Sequence, residues 1–447
     1  MFNNLYRGFS TTILLTVFMV VLSSALTRAQ ESALRFDTSD HGEPGDRAPV
    51  VQPWKSIQID SEYGGQWVVT GDIDGDGEIE IVSARNVNLN DVHYTSAVVA
   101  QELDGTVKWR WGNPAIGRPN WHHDVACQIH DWDGDSWKEV ILLTKGWLVE
   151  LDGVTGKERR RFRIPADATD CLAFCNVSGR PRPTDVIVKT RYGQMWVYNY
   201  GGKLLWTVEK PGGYRTSHQP RAYDLDGDGK DEIMAGYAML NHDGSVRWTV
   251  SSNAVDIGKG HLDCCRLVRK GETPGDWRFV MTYCGANCMA LVDGNGGTVW
   301  EQAGFHYESL NVGRMFPDIE GFQILVDVDH VPSGESPVIL FDEQGQRIGR
   351  VVSDYCRHHK LLDWTGDGFD EIILANARGV FDNTGKRIAT LHFDDSGVAM
   401  QTGDMNGDGI VDIGIVTQTS FHVFVNERGN SSTEPLPLGC GVNFSLY

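Results

Sequence analysis

Five short stretches set titratable side chains immediately before an apolar run. "NWHHDVACQIHDWD" carries His122 and His123, "GGYRTSHQPRAYDLD" carries Tyr214, Arg215, His218 and Arg221, "IGKGHLDCCRLV" carries His261, "GFHYESLNVGR" carries His306 and Tyr307, and "SDYCRHHKLLDWT" carries Arg357, His358, His359 and Lys360. Imidazoles titrate near neutrality, so they serve as acids, bases or metal ligands, and guanidinium groups among them bind carboxylate or phosphate. Trp121 and Tyr214 add rings on which a sugar can stack.

A second set of candidates is acidic. "DIDGDGEIE" (72–80), "DWDGDSWKE" (131–139), "DLDGDGKDE" (224–232), "DWTGDGFDE" (363–371) and "DMNGDGIVD" (404–412) set oxygen donors at positions 1, 3, 5 and 9. The donors are Asp72, Asp74, Asp76 and Glu80; Asp131, Asp133, Asp135 and Glu139; Asp224, Asp226, Asp228 and Glu232; Asp363, Asp367 and Glu371; and Asp404, Asn406, Asp408 and Asp412. So many hard oxygens suit Ca²⁺, and several structural calcium sites are expected. An EF-hand is excluded, because position 12 is Ser83, Leu142, Ala235, Leu374 or Ile415 where that loop needs a bidentate Glu.

These acidic copies also define the elements. Weaker copies fill the gaps at "NVSGRPRPTDVIV" (176–188), "RLVRKGETPGDWRFVM" (266–281) and "NVGRMFPDIEGFQIL" (311–325). A hairpin follows each copy, with an Asp/Gly turn and often a Trp, as in "AVVAQELDGTVKWRW" and "MALVDGNGGTVW". Eight units of four short strands imply an all-β, eight-bladed β-propeller, with seven blades as the fallback if one unit is a decoration. Residues at one offset from the acidic loop then sit at equivalent places around the axis. The histidines gather on the rim opposite the loops, and the propeller proper is expected over 51–428.

The formal charge of −20 argues against nucleic acid or an anionic membrane as partner, so an anionic ligand needs a local basic pocket. Residues 1–30, with Arg7, the apolar run "TTILLTVFMVVL" and the small residues of "SSALTRAQ", read as a signal peptide. A secreted or periplasmic protein, monomeric and free of the membrane after cleavage, is expected. Residues 31–50 read as an irregular lead-in and 429–447 as a tail. Nine cysteines leave three options: buried thiols, the disulfides Cys171–Cys175 and Cys284–Cys288, or a Zn²⁺ site drawn from Cys264, Cys265, Cys284, Cys288 or Cys356 with a histidine.

The acidic units resemble the calcium-binding FG-GAP or VCBS repeat. The phrases "GKGHLDCCRLV", "YESLNVGRMFPDIEGFQILVDVD" and "AYDLDGDGKDEI" resemble rhamnogalacturonan lyases, and more loosely the ulvan lyases. That resemblance implies β-elimination from a uronic acid in an anionic polysaccharide. A cation, from Arg215, Arg221, Arg357 or bound Ca²⁺, would neutralise the carboxylate. His122, His123 or His359 would take the C5 proton, and Tyr214, Tyr307 or a second His would protonate the leaving oxygen. A non-catalytic carbohydrate- or protein-binding propeller, and a glycoside hydrolase on the same scaffold, remain the alternatives.

Overall fold

The computed structural model describes residues 34–39, 48–121, 124–252, 254–255, 260–331, 335–353, 355–395 and 399–429. The leader expected at 1–30 and residues 430–447 lie outside that set, as do His122 and His123. The strands form eight sheets, each built on four antiparallel strands, so the repeat closes as eight blades rather than seven. Blades 1 to 7 span 67–112, 127–163, 171–209, 216–249, 261–303, 306–352 and 359–391. The eighth takes three strands from 399–424 and its outermost strand, Lys55–Gln58, from the other end of the chain.

That last strand runs antiparallel to Ser420–Phe424 with Lys55 opposite Val423, so hydrogen bonds between the two ends of the chain close the ring. The lead-in is less irregular than its sequence suggests. Phe36–Ser39 lies parallel to Arg347–Val352 on blade 6, and Val50–Val51 lies parallel to Arg387–Leu391 on blade 7. Glycine makes room for the first of these: a Cβ at Gly349 would fall 2.3 Å from the Phe36 ring.

Middle strands such as Glu139–Thr144 are buried on both faces between neighbouring blades, which is why "EVILLT" is apolar almost throughout. Outer strands such as Glu158–Arg163 alternate half-buried and exposed residues, and their charges discourage pairing with another sheet. The tryptophans seen in the hairpins tie blades together. Trp109 donates its indole N–H to Gly153 O (2.7 Å), Trp206 to His242 O (2.9 Å), Trp248 to Gly294 O (2.9 Å) and Trp300 to Glu343 O (3.0 Å), in each case one blade onward. The turn that receives Trp248 carries Gly296 at φ +84°, where a Cβ would sit 2.7 Å from the indole ring.

The first strands of successive blades, including Thr216–Tyr223, His261–Arg269 and His306–Gly313, pack against one another around the axis. Each acidic loop leaves the far end of such a strand. The histidines at the near end therefore open on the opposite face.

Candidate functional site

Strand alternation decides which of the expected residues reach the axial mouth. His261 and Asp263 point into it, whereas Leu262 is buried against the neighbouring blade. His306 and Glu308 point into it, whereas Tyr307 is 3% exposed in an apolar cluster with Phe341. Tyr307 is thus on the wrong face of its strand to act as an acid.

Blades 2 to 7 contribute to one continuous cluster. His218 Nδ1 lies 2.7 Å from Asp124 Oδ2, and its Nε2 lies 3.1 Å from His261 Nε2. Asp263 Oδ1 is 3.0 Å from His261 Nε2 and 3.7 Å from His218 Nε2. His306 Nε2 sits 2.8 Å from Glu308 Oε2, and Glu308 Oε1 in turn receives Arg357 at 2.9 Å. Arg357 also pairs with Asp329. Tyr192 places its hydroxyl 3.4 Å from His218 Nε2, with the guanidinium groups of Arg191 and Arg215 over its ring at 5.2 and 5.7 Å.

The electrostatics follow from burial. Burial, reinforced by His261, pushes His218 down to about 3, and burial with nearby Arg215 pushes His261 down to about 4, so both rings are neutral at physiological pH. Burial raises Asp263 to about 6. The Glu308 hydrogen bond instead raises His306. With Asp124 accepting the Nδ1 proton of His218, the His218 Nε2 lone pair faces His261 and Asp263. Three donor atoms lie within 4.8 Å of one another, two of them imidazole nitrogens and one a carboxylate oxygen. This is a set that fits a divalent cation.

The other expected residues lie at or beyond the edge of this cluster. Arg221 is 2% exposed deep in the channel, where it donates to Gln219. His359 is buried beside Ser309 and Asn311. His358 is half-buried at 6.2 Å from Tyr355 and pushed down to about 3 by burial. Tyr214 packs edge-on against Tyr237. Asp124, Arg191, Tyr192, Asp263 and Glu308 were not singled out from sequence. Asp124, Asp263 and Glu308 lie inside the quoted stretches, but Arg191 and Tyr192 sit in the hairpin of blade 3, which carries no histidine to mark it.

The acidic loops have their own geometry. Asp72 accepts the amides of Gly75 (2.6 Å) and Gly77 (3.2 Å), while Glu80 accepts that of Ile73 (2.9 Å). Asp224 and Glu232, and Asp404 and Asp412, repeat the pattern. The spacing 1 and 9 is therefore what braces the turn. In three loops a cation from the outer strand of the same blade reaches the acids. Lys108 pairs with Asp74, Arg159 approaches Glu139 at 2.7 Å, and Arg247 approaches Asp226 at 2.8 Å. Glu80 Oε1 is buried without a hydrogen-bond partner, and Asp72, Asp74 and Glu80 hold ligand atoms within 4.8 Å, so the oxygen set still fits Ca²⁺.

The eight described cysteines are free thiols, so the pairs Cys171–Cys175 and Cys284–Cys288 are not disulfides. Cys171 and Cys175 lie at the two ends of one five-residue strand, beyond disulfide reach. Two clefts of about 560 and 1130 Å³ open elsewhere, around Trp54 and Asn406 beside the acidic loops. Neither contains a histidine.

No protein-family profile matches the chain. In sequence it is similar to two proteins of Bacillus subtilis (strain 168): rhamnogalacturonan endolyase YesW, 27% identical over 286 residues, and rhamnogalacturonan exolyase YesX, 28% identical over 284 residues. These matches cover 48% and 49% of this chain and 45% of each relative, so the chain spans about half the length of the curated relatives it matches. In structure it is similar to the Bacillus licheniformis rhamnogalacturonan lyase PL11, with a TM-score of 0.61 and 19% identity over 87% of this chain and 78% of that one. That likeness is one of fold.

Proposed function

From this kinship we propose that the protein is an exported, monomeric polysaccharide lyase. It would cleave a rhamnose–uronate linkage of the rhamnogalacturonan or ulvan kind by β-elimination, with Ca²⁺ bracing the acidic loops. The sequence similarity to two rhamnogalacturonan lyases is the observation that carries the reading. The histidine- and arginine-lined mouth of an otherwise acidic protein supports it. Among the described residues no helix is long and apolar enough to cross a membrane.

β-Elimination requires the uronate carboxylate to be neutralised, so that the C5 proton becomes acidic enough to remove. His218, His261 and Asp263 would hold a divalent cation, which when bound supplies that charge. Arg191 and Arg215 flank the same place and would orient the carboxylate by charge-assisted hydrogen bonds. Tyr192, whose hydroxyl faces His218, is the side chain we assign to proton transfer. Glu308, itself held by Arg357, fixes His306 at the opposite wall of the mouth.

The test is incubation of the purified protein, with Ca²⁺ present, with rhamnogalacturonan, ulvan and related uronic-acid polymers. Ultraviolet absorbance of an unsaturated uronide is the expected product signal. Binding of these polymers without product would make the protein a carbohydrate-binding propeller. New reducing ends without unsaturation would make it a glycoside hydrolase.

A further inference from the structure

The carboxylate of Asp263 has two sides, and only one faces His218 and His261. Its Oδ2 lies 3.9 Å from His306 Nε2 and has no donor stronger than the adjoining Cys284 thiol, although the side chain is 2% exposed. A buried carboxylate oxygen with so weak a donor is poorly satisfied, and a cation would satisfy it. The Cys284 thiol adjoins this same carboxylate, and Asp263, Cys284 and His306 present donor atoms that all lie within 4.8 Å of one another.

Strand pairing puts the thiol there. His261 pairs with Cys284 across blade 5, so the end of Arg278–Cys284 is brought beside the two mouth residues His261 and Asp263. Among the described cysteines Cys284 alone is partly exposed, and the other seven are buried. Cys264, Cys265, Cys288 and Cys356 pack in apolar clusters, so of the five thiols considered for zinc only one is placed to ligate.

We propose that Asp263 bridges two metal positions, and that the second takes Zn²⁺ through Cys284 Sγ, His306 Nε2 and Asp263 Oδ2. A thiolate and an imidazole select a borderline-soft ion over Ca²⁺, and a tetrahedral site needs one further donor. Glu308 stands next to His306 to supply it, with Arg357 holding its other oxygen. Binding releases the thiol proton, and the thiolate and the Glu308 carboxylate offset the charge of the ion, leaving Asp263 to be shared. The proposal builds on the reading above only in naming the first position. The second stands on Cys284.

The full chain, with Ca²⁺ present to fill the acidic loops, is titrated with Co²⁺ and then with Zn²⁺. The wild type should show a sulfur-to-cobalt charge-transfer band that Zn²⁺ abolishes. Cys284→Ser and Cys284→Ala should lose the band and weaken Zn²⁺ binding at this position at least 10–100-fold, roughly the loss that outer-shell partners already cause. Cys288→Ser and His218→Gln should keep the band. In wild-type protein, Zn²⁺ should protect Cys284 from alkylation, read by peptide mass mapping without any variant. A band that survives in Cys284→Ser, no band in wild type despite Co²⁺ uptake, or unchanged alkylation of Cys284 would each overturn the proposal. Failure of the lyase reading is separate: it shows as polymers without unsaturated product in protein whose cobalt band is intact.

Discussion

Removing calcium should destabilise the protein in a way that depends on pH. Burial raises Glu139, Glu232 and Glu371, the ninth residues of their loops, from an ordinary 4.5 to about 7, and raises Glu80 in the same sense. A raised carboxylate pKa means that the folded chain holds its proton more tightly than the unfolded chain between about pH 4.5 and 7. Metal-free stability is therefore highest at the acid end and falls as pH rises through that window. By pH 8 each ionised, buried glutamate costs up to about 3 kcal/mol, at 1.36 kcal/mol per unit. Bound Ca²⁺ offsets this, so the gain in melting temperature on adding Ca²⁺ to chelated protein should be small near pH 5 and several degrees per occupied loop at pH 8. Differential scanning calorimetry at both pH values, with and without Ca²⁺, reads it directly. Glu232→Gln, which mimics the protonated side chain, should remove one loop's share of the pH dependence. Equal calcium effects at pH 5 and pH 8, or none, would refute the reasoning.

Other outcomes are expected. Trp248→Phe should cost about 1 kcal/mol by losing the indole bond to Gly294, and Gly296→Ala more, about 2–4 kcal/mol, because its Cβ meets the Trp248 ring at a positive φ; denaturant melts check both. Asp124→Asn, which replaces the charged acceptor that orients His218 by a neutral amide, should weaken divalent-cation binding at the mouth by about 10–100-fold without unfolding the chain, read by calorimetric titration. Tyr192→Phe should lower turnover by about 10²–10⁴-fold while polymer binding persists. Lys360 is pushed down to about 8 by burial beside Arg266 and Arg221, so stability should rise from pH 8 towards the ordinary lysine value as the folded chain sheds the proton first. Lys360→Met should flatten that rise in pH-dependent melts.

The blade count, the strand-to-loop order and the side of the propeller on which the histidines gather were all legible in the sequence. Each is a recurring local pattern: the 1-to-9 carboxylate spacing, present in five loops, works because residues such as Asp72 and Glu80 bond amides of their own loop, and the hairpin Trp recurs where it ties one blade to the next, as in four of them. Which of the gathered residues share a site was not legible. His261 and His306 reach the mouth while Tyr307 turns into the core, a matter of strand face that one residue reverses. Asp124, Tyr192 and Arg191 join from blades 2 and 3 across long sequence separations, and Cys284 arrives through its pairing with His261. The ends of the chain likewise read as loose ends, yet Lys55–Gln58 completes the last blade and Phe36–Ser39 edges the sixth. Repetition writes the blade into local sequence, whereas the contents of the axial mouth depend on how eight strand ends meet, and only the closed ring brings them together.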